Sequence, residues 1–456
     1  MSTREPTHNT ARRVLFVLGA VVAAAAIAAA TVAHPMHHSA RRAAPVLETF
    51  GDDGFELGFR GFAGRVPDTK KPKLTAYFTS ESYRPGGTAE LVVADTAPGI
   101  ALQFFRAGGE DRPTVANDVM YGTAVSSIAQ LGSAGGHRVV QLRLGSWPSG
   151  VYFARLTAGD RIGYAPFVLA PRRLGEHPVA VVIPTETWQA YNFRDDDGDG
   201  HGDTWYAGWR TNTARLIRPF LDRGVPPHWK QYDAPFLRWL TQTGRRVDFI
   251  SDAELRNVPS GKALRDAYTL MVFEGHHEYV TTHEYDVTKQ FRDLGGNLAF
   301  LSANNFFWKI ELHGDVMTRV AEWRNLGRPE AALIGVQYRA NDDGSHRGPW
   351  LVRNVASAPW LFRGTGIGAG DAVGTGGIEI DRTFPSSPRN VHVLAEIPNL
   401  FGPGFTAQMA YYRAPSGAKV FAAGAFTLAG SALSPDISKL LGNLWTWLAQ
   451  DGAGGV

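Results

Sequence analysis

The chain has 456 residues, a length that favours two or three domains with large cores over a disordered chain. Lys and Arg number 46 and Asp and Glu 43, so the net charge is only +3 and a nucleic-acid-binding surface is not expected. The chain has no cysteine, which excludes disulfides, thiolate metal sites, iron–sulfur clusters and cysteine nucleophiles. Any metal ion must therefore be held by oxygen or imidazole donors.

An apolar, alanine-rich segment at 14–33 follows Arg12 and Arg13. Its length would span a bilayer, but the small residues before His34 favour cleavage as an export signal over retention as a membrane anchor. The arginine pair is typical of a twin-arginine signal and also of an ordinary positive n-region. Residues 1–44 are therefore predicted to be a signal peptide or anchor with a linker, and the mature protein is expected outside the cytoplasm, secreted or membrane-attached.

Short alternating runs fill the region 74–170. Runs such as AELVVAD and GVYFARL alternate apolar and polar residues and are separated by Gly, Pro, Asp and Ser. This spacing is typical of an antiparallel β-sandwich of immunoglobulin-like type, which we predict for residues 45–172. The sandwich region contains no catalytic constellation.

Beyond Pro178 short apolar runs alternate with amphipathic segments of helix length. The runs VAVVIP, RVDFIS, TLMVFEG and NLAFLSA predict buried strands, so residues 173–456 are expected to form an α/β domain with a mainly parallel sheet. The segment 326–400 is glycine-rich and less periodic. Helices are predicted near 234–243, 253–268, 282–294 and 437–449. Ligands of such sheets bind beyond the carboxyl ends of the strands, which here are followed by 185–192, 251–252, 274–279 and 302–305.

The densest group of polar residues is GHHEY at 275–279, directly after the run TLMVFE. Buried polar groups at a strand end need hydrogen-bond partners, a metal ion or a cleft. In an extended chain His276 and Glu278 would point to one side and His277 to the other. The pair could act as acid and base, as metal ligands, or as part of a structural hydrogen-bond network. The zinc motif HExxH is excluded because His283 is at the wrong spacing.

A second group is the acidic loop DDDGDGHGD at 195–203. Asp195, Asp197, Asp199 and Asp203 match the first, third, fifth and ninth positions of a calcium loop. The twelfth position is Tyr206 rather than a bidentate glutamate, so the match is incomplete. Calcium binding is predicted here, with a solvated acidic loop as the alternative.

Six long stretches beyond the predicted sandwich are informative together. They are TETWQAYN (185–192), APFLRWLTQTGRRVDFISDAEL (234–255), YTLMVFEGHHEYVT (268–281), GGNLAFLSANNFFWKI (295–310), GTGIGAGDAVGTGGIEIDR (364–382) and MAYYRAPSGAKVFAAGAF (409–426). In this order they resemble the C-terminal region of the large subunit of N,N-dimethylformamidase. The resemblance covers roughly residues 178–450 and leaves out the predicted sandwich.

The resemblance implies a glutamine-amidotransferase-like α/β fold with a mononuclear iron held by two phenolates and one carboxylate. These ligands would be Tyr191, Tyr232 and Glu278. Phenolate and carboxylate are hard oxygen donors that suit ferric iron.

The resemblance also assigns the remaining site residues. It implies that His276 pairs with Glu379 for acid–base work and that Asn304 faces the substrate. Val280 replaces a tryptophan that usually follows GHxEY in the family, and this changes one wall of the expected cleft.

These features together predict an exported, iron-dependent hydrolase that cleaves the C–N bond of a small or peptide-like linear amide, with His276 as acid and base. The alternative is a non-catalytic secreted or cell-surface binding protein that keeps the fold and a calcium loop. A third outcome is a site that holds zinc or no ion, with calcium at the acidic loop.

Overall fold

Two packed β-sheets form the amino-terminal part of the structure, a computed structural model that describes residues 66–132, 136–208 and 210–450. The first sheet has the order β1-β3-β7, with β1 (Ala76–Phe78), β3 (Thr88–Asp95) and β7 (Gly136–Arg143). The second has the order β2-β9-β8-β4-β5, with β6 also paired to β4. Its strands are β2 (Ser82–Tyr83), β4 (Ile100–Arg106), β5 (Thr123–Ala124), β6 (Ala129–Gly132), β8 (Gly150–Ala158) and β9 (Arg161–Leu169).

Alternating side chains of these strands meet between the two sheets. Phe78 on β1 packs against Phe167 on β9 at 4.8 Å between ring centroids, and Leu91 and Val93 on β3 are fully buried. Apolar residues at every second position are what a half-buried strand requires. The predicted sandwich is therefore two packed sheets, and its immunoglobulin-like type stays a prediction.

A parallel set of strands forms one half of a large sheet. The strands are adjacent in the order β12-β10-β13-β15-β23, and all the pairings among them are parallel. Every residue in them is buried, which explains their uninterrupted apolar runs. Their bounds are β10 (Val179–Ile183), β12 (Asp248–Ser251), β13 (Leu270–Phe273), β15 (Asn297–Phe300) and β23 (Lys419–Ala422).

Antiparallel strands extend this sheet beyond β23, so the expectation of a mainly parallel sheet is corrected to a mixed one. The order continues β22-β21-β19-β20-β18, and β24 also pairs with β20. A Cβ on Gly376 of β20 would lie 2.8 Å from the Trp350 ring, so the close packing requires glycine here. Glycine interrupts the alternation of apolar and polar residues that would identify the strand in the sequence. Their bounds are β18 (Gln337–Asn341), β19 (Arg347–Val352), β20 (Ala372–Arg382), β21 (His392–Ile397), β22 (Ala407–Arg413) and β24 (Ala425–Phe426). The likeness to glutamine amidotransferases stays a prediction.

A further small sheet lies next to the carboxyl end of β13. Its order is β11-β17-β16-β14, and β14 (Tyr279–Val280) pairs in parallel with β16 (Trp308–His313). The other members are β11 (Thr213–Arg215) and β17 (Val316–Glu322). Because β14 begins one residue after Glu278, this pairing fixes the direction of the chain that carries GHHEY.

All four predicted helical segments form helices, one of them divided in two, and the structure adds short helices that were not predicted. The predicted helix at 253–268 is two helices, because Pro259 disfavours helical geometry at the preceding residue and Ser260 caps the next helix through the Ala263 N–H. The helices are α1 (Thr185–Ala190), α2 (Trp229–Tyr232), α3 (Ala234–Gln242), α4 (Asp252–Asn257), α5 (Gly261–Ala267), α6 (Thr282–Asp293), α7 (Ala331–Ile334), α8 (Pro359–Phe362) and α9 (Pro435–Leu448), with 3₁₀ turns at Trp323–Leu326 and Ala429–Ser431.

The sandwich covers the edge of the mixed sheet. Ser149, just before β8, accepts a hydrogen bond from the Phe249 N–H at 2.7 Å and donates to the Phe249 carbonyl at 3.3 Å. Phe249 lies on the edge strand β12. The sandwich and the mixed sheet belong to one compact unit, and the predicted boundary at 172/173 stays a prediction.

The predicted export segment at 14–33 lies outside the described residues. Within the described ranges, each helix is too short or too polar to cross a bilayer. Cleavage, membrane attachment and twin-arginine export therefore stay predictions.

Candidate functional site

The segments that follow the parallel strands meet at one edge of the mixed sheet. Helix α1 follows β10, α4 follows β12, GHHEY follows β13, and the segment 302–305 follows β15. Parallel strands bring their carboxyl ends to the same edge, so polar residues far apart in sequence lie together.

Tyr191 and Glu278 are in direct contact at this edge. The Tyr191 hydroxyl donates to Glu278 Oε2 at 2.6 Å, and Glu278 is fully buried. The Tyr206 hydroxyl lies 2.9 Å from that of Tyr191 and 3.1 Å from each Glu278 oxygen, and it also contacts the Tyr279 hydroxyl. Trp205 donates its indole N–H to Tyr279 at 3.0 Å. Phenol and carboxylate oxygens therefore converge on one buried point.

His276 lies between two carboxylates. Its Nε2 is 3.4 Å from Glu278 Oε2 and 3.5 Å from Glu379 Oε2. The imidazole packs against Phe426 at 4.5 Å and Tyr191 at 5.1 Å between ring centroids. His276 and Glu379, which are 103 positions apart in the sequence and were paired only by resemblance, are thus brought together by β13 and β20.

Tyr232 approaches from α2, the helix that precedes α3. Its ring is 5.2 Å from Phe426 and 5.0 Å from His228, and its side chain lines a small cavity that Tyr191 and His276 also line. The two predicted tyrosine ligands therefore share a cavity, although Tyr191 alone of the two hydrogen-bonds to Glu278 in the described contacts.

Asn304 lies just after β15 in a left-handed conformation with φ of 52°. Its backbone N–H donates to Asp381 Oδ1 at 2.9 Å. Its side-chain amide is buried, and within the described residues neither amide atom has a hydrogen-bond partner. The described residues therefore leave unsatisfied an amide that a buried position would usually require to be hydrogen-bonded.

A cavity of about 250 Å³ opens at this place. Tyr191, Tyr232, His276 and Glu379 line it, together with acidic residues and Phe426. Among the described lining residues none is Lys or Arg. The other polar and acidic lining residues are Asn117, Asn192, Asp222, His228, Asn341, Asp342 and Asp343.

Burial controls the protonation of the site. It lowers the pKa of His276 well below the usual range, and the neighbouring His277 and His228 lower it further. Burial also lowers the pKa of His277 to about 3, and His277 packs on Phe273 rather than facing the cavity. Burial and the Glu278 carboxylate raise the pKa of the Tyr191 phenol well above its usual range. His276 is therefore a neutral imidazole near pH 7.

The donor set fits an iron ion. Tyr191 and Tyr232 offer phenol oxygens, Glu278 offers a carboxylate, and all three are buried. The buried contact between Tyr191 and Glu278 holds a proton that a cation would replace, because a positive charge stabilises both anionic oxygens. These three residues could therefore hold the ion.

The acidic loop brings together part of the predicted calcium set. Asp195, Asp197 and Asp203 each offer an oxygen within 4.8 Å of the others. Asp199 does not join them, and its Oδ2 pairs with Arg210 at 3.3 Å instead. Calcium binding at this loop stays a prediction.

Tyr206 and Tyr279 were missed as site residues. Tyr206 was considered only as the twelfth position of the calcium loop, and Tyr279 only as part of GHHEY. The available signal was the aromatic pair Trp205-Tyr206 directly after a glycine-rich acidic loop, since buried tyrosines bring a hydroxyl that needs a partner.

Comparison with known proteins gives the family. The family model described as N,N-dimethylformamidase beta subunit-like, C-terminal, matches residues 138–437, so the match begins inside β7 rather than at the predicted 178. The N,N-dimethylformamidase beta subunits of Alcaligenes sp and Paracoccus aminophilus are each 24% identical over 258 residues, covering 48% of this chain and 33% of the relative. The match therefore spans about a third of the length of these relatives.

Similarity to solved structures is weak. An uncharacterized protein from Bacillus anthracis str. Ames is 11% identical over 22% of this chain and 84% of its own, with a TM-score of 0.17, which supports no conclusion. The family model, by contrast, matches well over half of the chain, with GHHEY and Glu379 inside the match. The chain therefore belongs to the N,N-dimethylformamidase beta subunit-like, C-terminal family.

Proposed function

We propose that this chain hydrolyses the C–N bond of a small linear amide, with His276 as acid and base and with iron held by Tyr191, Tyr232 and Glu278. The observation that carries the proposal is that His276 Nε2 lies 3.4 Å from Glu278 and 3.5 Å from Glu379 beside the cavity of about 250 Å³. Family membership supports the same reaction, because the curated relatives are named as N,N-dimethylformamidase subunits.

Amide hydrolysis adds water across the C–N bond and gives a carboxylic acid and an amine. His276 accepts a proton from the attacking water and delivers it to the leaving nitrogen. Glu379 orients the imidazole and stabilises its protonated form, as a carboxylate does for a catalytic histidine. The side chain of Asn304, buried without a partner in the described residues, is proposed to hydrogen-bond the substrate amide. A bound iron would supply Lewis-acid chemistry that polarises the carbonyl.

The cavity favours a small substrate without negative charge. About 250 Å³ admits a short amide and excludes a folded peptide segment. Asp222, Asp342, Asp343 and Glu379 line it without a described Lys or Arg, so an anionic substrate would be repelled. N,N-dimethylformamide is the first probe, with its release of dimethylamine as the readout.

The test is Glu278→Gln, which keeps the side chain's size and removes its charge. We expect bound iron to fall at least tenfold and amide hydrolysis to be lost, because a neutral amide oxygen is a poor ligand for ferric iron. Elemental analysis and dimethylamine release give the two readouts. Glu396→Gln on β21, where the carboxylate pairs with Arg353 at 3.1 Å, is the control and should change neither. Unchanged iron content in Glu278→Gln would refute the ligand assignment.

A second variant separates acid–base chemistry from metal binding. His276→Asn should retain iron and lose hydrolysis by at least about a hundredfold, the usual contribution of a positioned acid or base. Full activity in His276→Asn would refute its proposed role even if iron is bound.

A further inference from the structure

Four acidic side chains meet where the sandwich contacts the carboxyl ends of β10 and β12. They are Glu81 between β1 and β2, Glu186 in α1, Asp252 in α4 and Glu284 in α6, and we refer to them as the junction cluster. Glu186 and Glu284 are fully buried, and Asp252 is 2% exposed. None of the four lines the cavity beside His276. The cluster is therefore separate from the proposed amidase site.

The geometry of the junction cluster suits one shared ion. Oxygens of Glu186, Asp252 and Glu284 all lie within 4.8 Å of one another. Two oxygens bound to one calcium ion at about 2.4 Å can be at most about 4.8 Å apart. The three oxygens can therefore reach a single ion with small side-chain adjustments.

The charges of the junction cluster do not balance. Among the described residues, the basic side chain that forms ion pairs with the cluster is Arg256. It contacts Glu186 through Nη1 and Glu81 through Nη2. One guanidinium thus faces four carboxylates. Unpaired buried charge is costly, so the cluster needs further positive charge, from a cation or from protons.

Two carboxylate oxygens of the junction cluster are left unsatisfied by the described residues. Glu186 Oε2 and Glu284 Oε1 are buried, and within the described residues neither has a hydrogen-bond partner. Two other oxygens have partners, because Glu284 Oε2 accepts from Thr281 at 2.6 and 2.7 Å and Asp252 Oδ2 accepts from the Glu186 N–H at 2.8 Å. The orphaned oxygens are thus the ones that an added ligand would satisfy.

We infer that the junction cluster is a structural site for a hard divalent cation, calcium or magnesium, held by Glu186, Asp252 and Glu284. Carboxylate oxygens are the ligands such ions prefer. The ion joins α1, α4 and α6, and Arg256 ties Glu186 to Glu81 of the sandwich. Its role is to hold the helices at the carboxyl edge of the sheet rather than to take part in hydrolysis.

The test uses the full chain with Asp195→Asn and Asp197→Asn, which silence the exposed acidic loop. After chelator treatment, calcium and magnesium are each titrated by calorimetry, and thermal unfolding is followed with and without the ion. We expect about one ion per chain and a rise in melting temperature. Glu284→Gln in the same background should weaken binding at least tenfold, because glutamine keeps the capping interaction with Thr281 and removes the ligand charge.

Glu254→Gln is the matched control, because Glu254 has the same place in the capping box of α4 and is not one of the four carboxylates. It should leave cation binding unchanged. Equal weakening by both variants, or a background protein that neither binds these cations nor gains stability from them, would overturn the proposal and leave protons as the neutralising charge. If Glu284→Gln does not fold, the calcium and magnesium content of the background protein as purified decides, and absence of both overturns the proposal.

Discussion

At the scale of single residues, the distinctive feature is a group of phenols around one buried carboxylate. Tyr191 and Tyr206 both contact Glu278, at 2.6 and 3.1 Å, whereas Tyr232 reaches the same cavity from α2. If Tyr191 is the ligand and Tyr206 its support, the two positions respond differently to loss of the hydroxyl.

We therefore expect Tyr191→Phe to abolish the visible phenolate-to-iron absorption and lower iron content at least tenfold. Tyr206→Phe should keep the iron and shift the band, because it removes only a hydrogen bond to the ligands. Optical spectra and elemental analysis of the two purified variants measure this. The reverse result would make Tyr206 the ligand.

Some residues of the candidate site could be predicted from the amino-acid sequence, and others could not. His276 and Glu278 were singled out because polar groups follow a buried strand, and that logic is local. Tyr206 and the spacing of His276 to Glu379 depend on how β14 and β20 are placed, which is information that no local pattern contains.

At the scale of elements, the loop before α2 is anchored to the sandwich. The Tyr164 N–H on β9 donates to the Arg223 carbonyl at 2.8 Å, and Gly224 follows with φ of 87°. A Cβ on Gly224 would lie 1.9 Å from the Tyr164 carbonyl oxygen. This contact holds the chain that leads to Tyr232.

Gly224→Ala should therefore lower the free energy of unfolding by about 3 kcal/mol, since it adds a left-handed alanine and a backbone clash. Gly244→Ala is the control, because Gly244 has φ of 67° and no atom within 4 Å of its added Cβ. That variant should cost only about 1 kcal/mol. Urea unfolding measures both, and equal losses would mean that the contact with Tyr164 does not hold the loop.

Within the mixed sheet, element prediction succeeded for the parallel strands and failed for antiparallel strands such as β20. Strands such as β13 are buried on both faces and read as continuous apolar runs. In β20, glycines make room for Trp350 and Ile437. The apolar side chains at these positions therefore come from neighbouring elements, and β20 itself lacks the apolar pattern of a buried strand. The pattern was lost because the packing partner is distant in sequence.

At the scale of the whole molecule, buried carboxyls make stability depend on pH. Burial raises the pKa of Asp381 to about 7, partly opposed by the Asn304 N–H. The pKa of Asp381 in the folded state exceeds the unfolded value of about 4. The contribution of this carboxyl to the stability of the folded state is therefore fully present below pH 4 and is lost as the pH rises through 7.

We expect Asp381→Asn to reduce the fall in melting temperature between pH 5 and pH 8. The asparagine oxygen still accepts from Asn304, and no charge has to be buried at high pH. Thermal unfolding at both values is the measurement. Asp266→Asn on the exposed surface of α5 is the control, and an unchanged pH response of Asp381→Asn would contradict the assignment.

The two hydrogen bonds between Ser149 and Phe249 restrict which amino-terminal domains can be joined to this mixed sheet. An uncovered edge strand recruits strands from other molecules, and here the sandwich occupies that position on β12. If relatives exchange their amino-terminal domains, the new domain must therefore fold as a sandwich and also supply a hydroxyl that hydrogen-bonds to the edge of β12. A recombined chain that lacks this hydroxyl exposes the edge strand β12. We expect such a chain to aggregate into fibrils or inclusion bodies rather than to fold and lose catalysis.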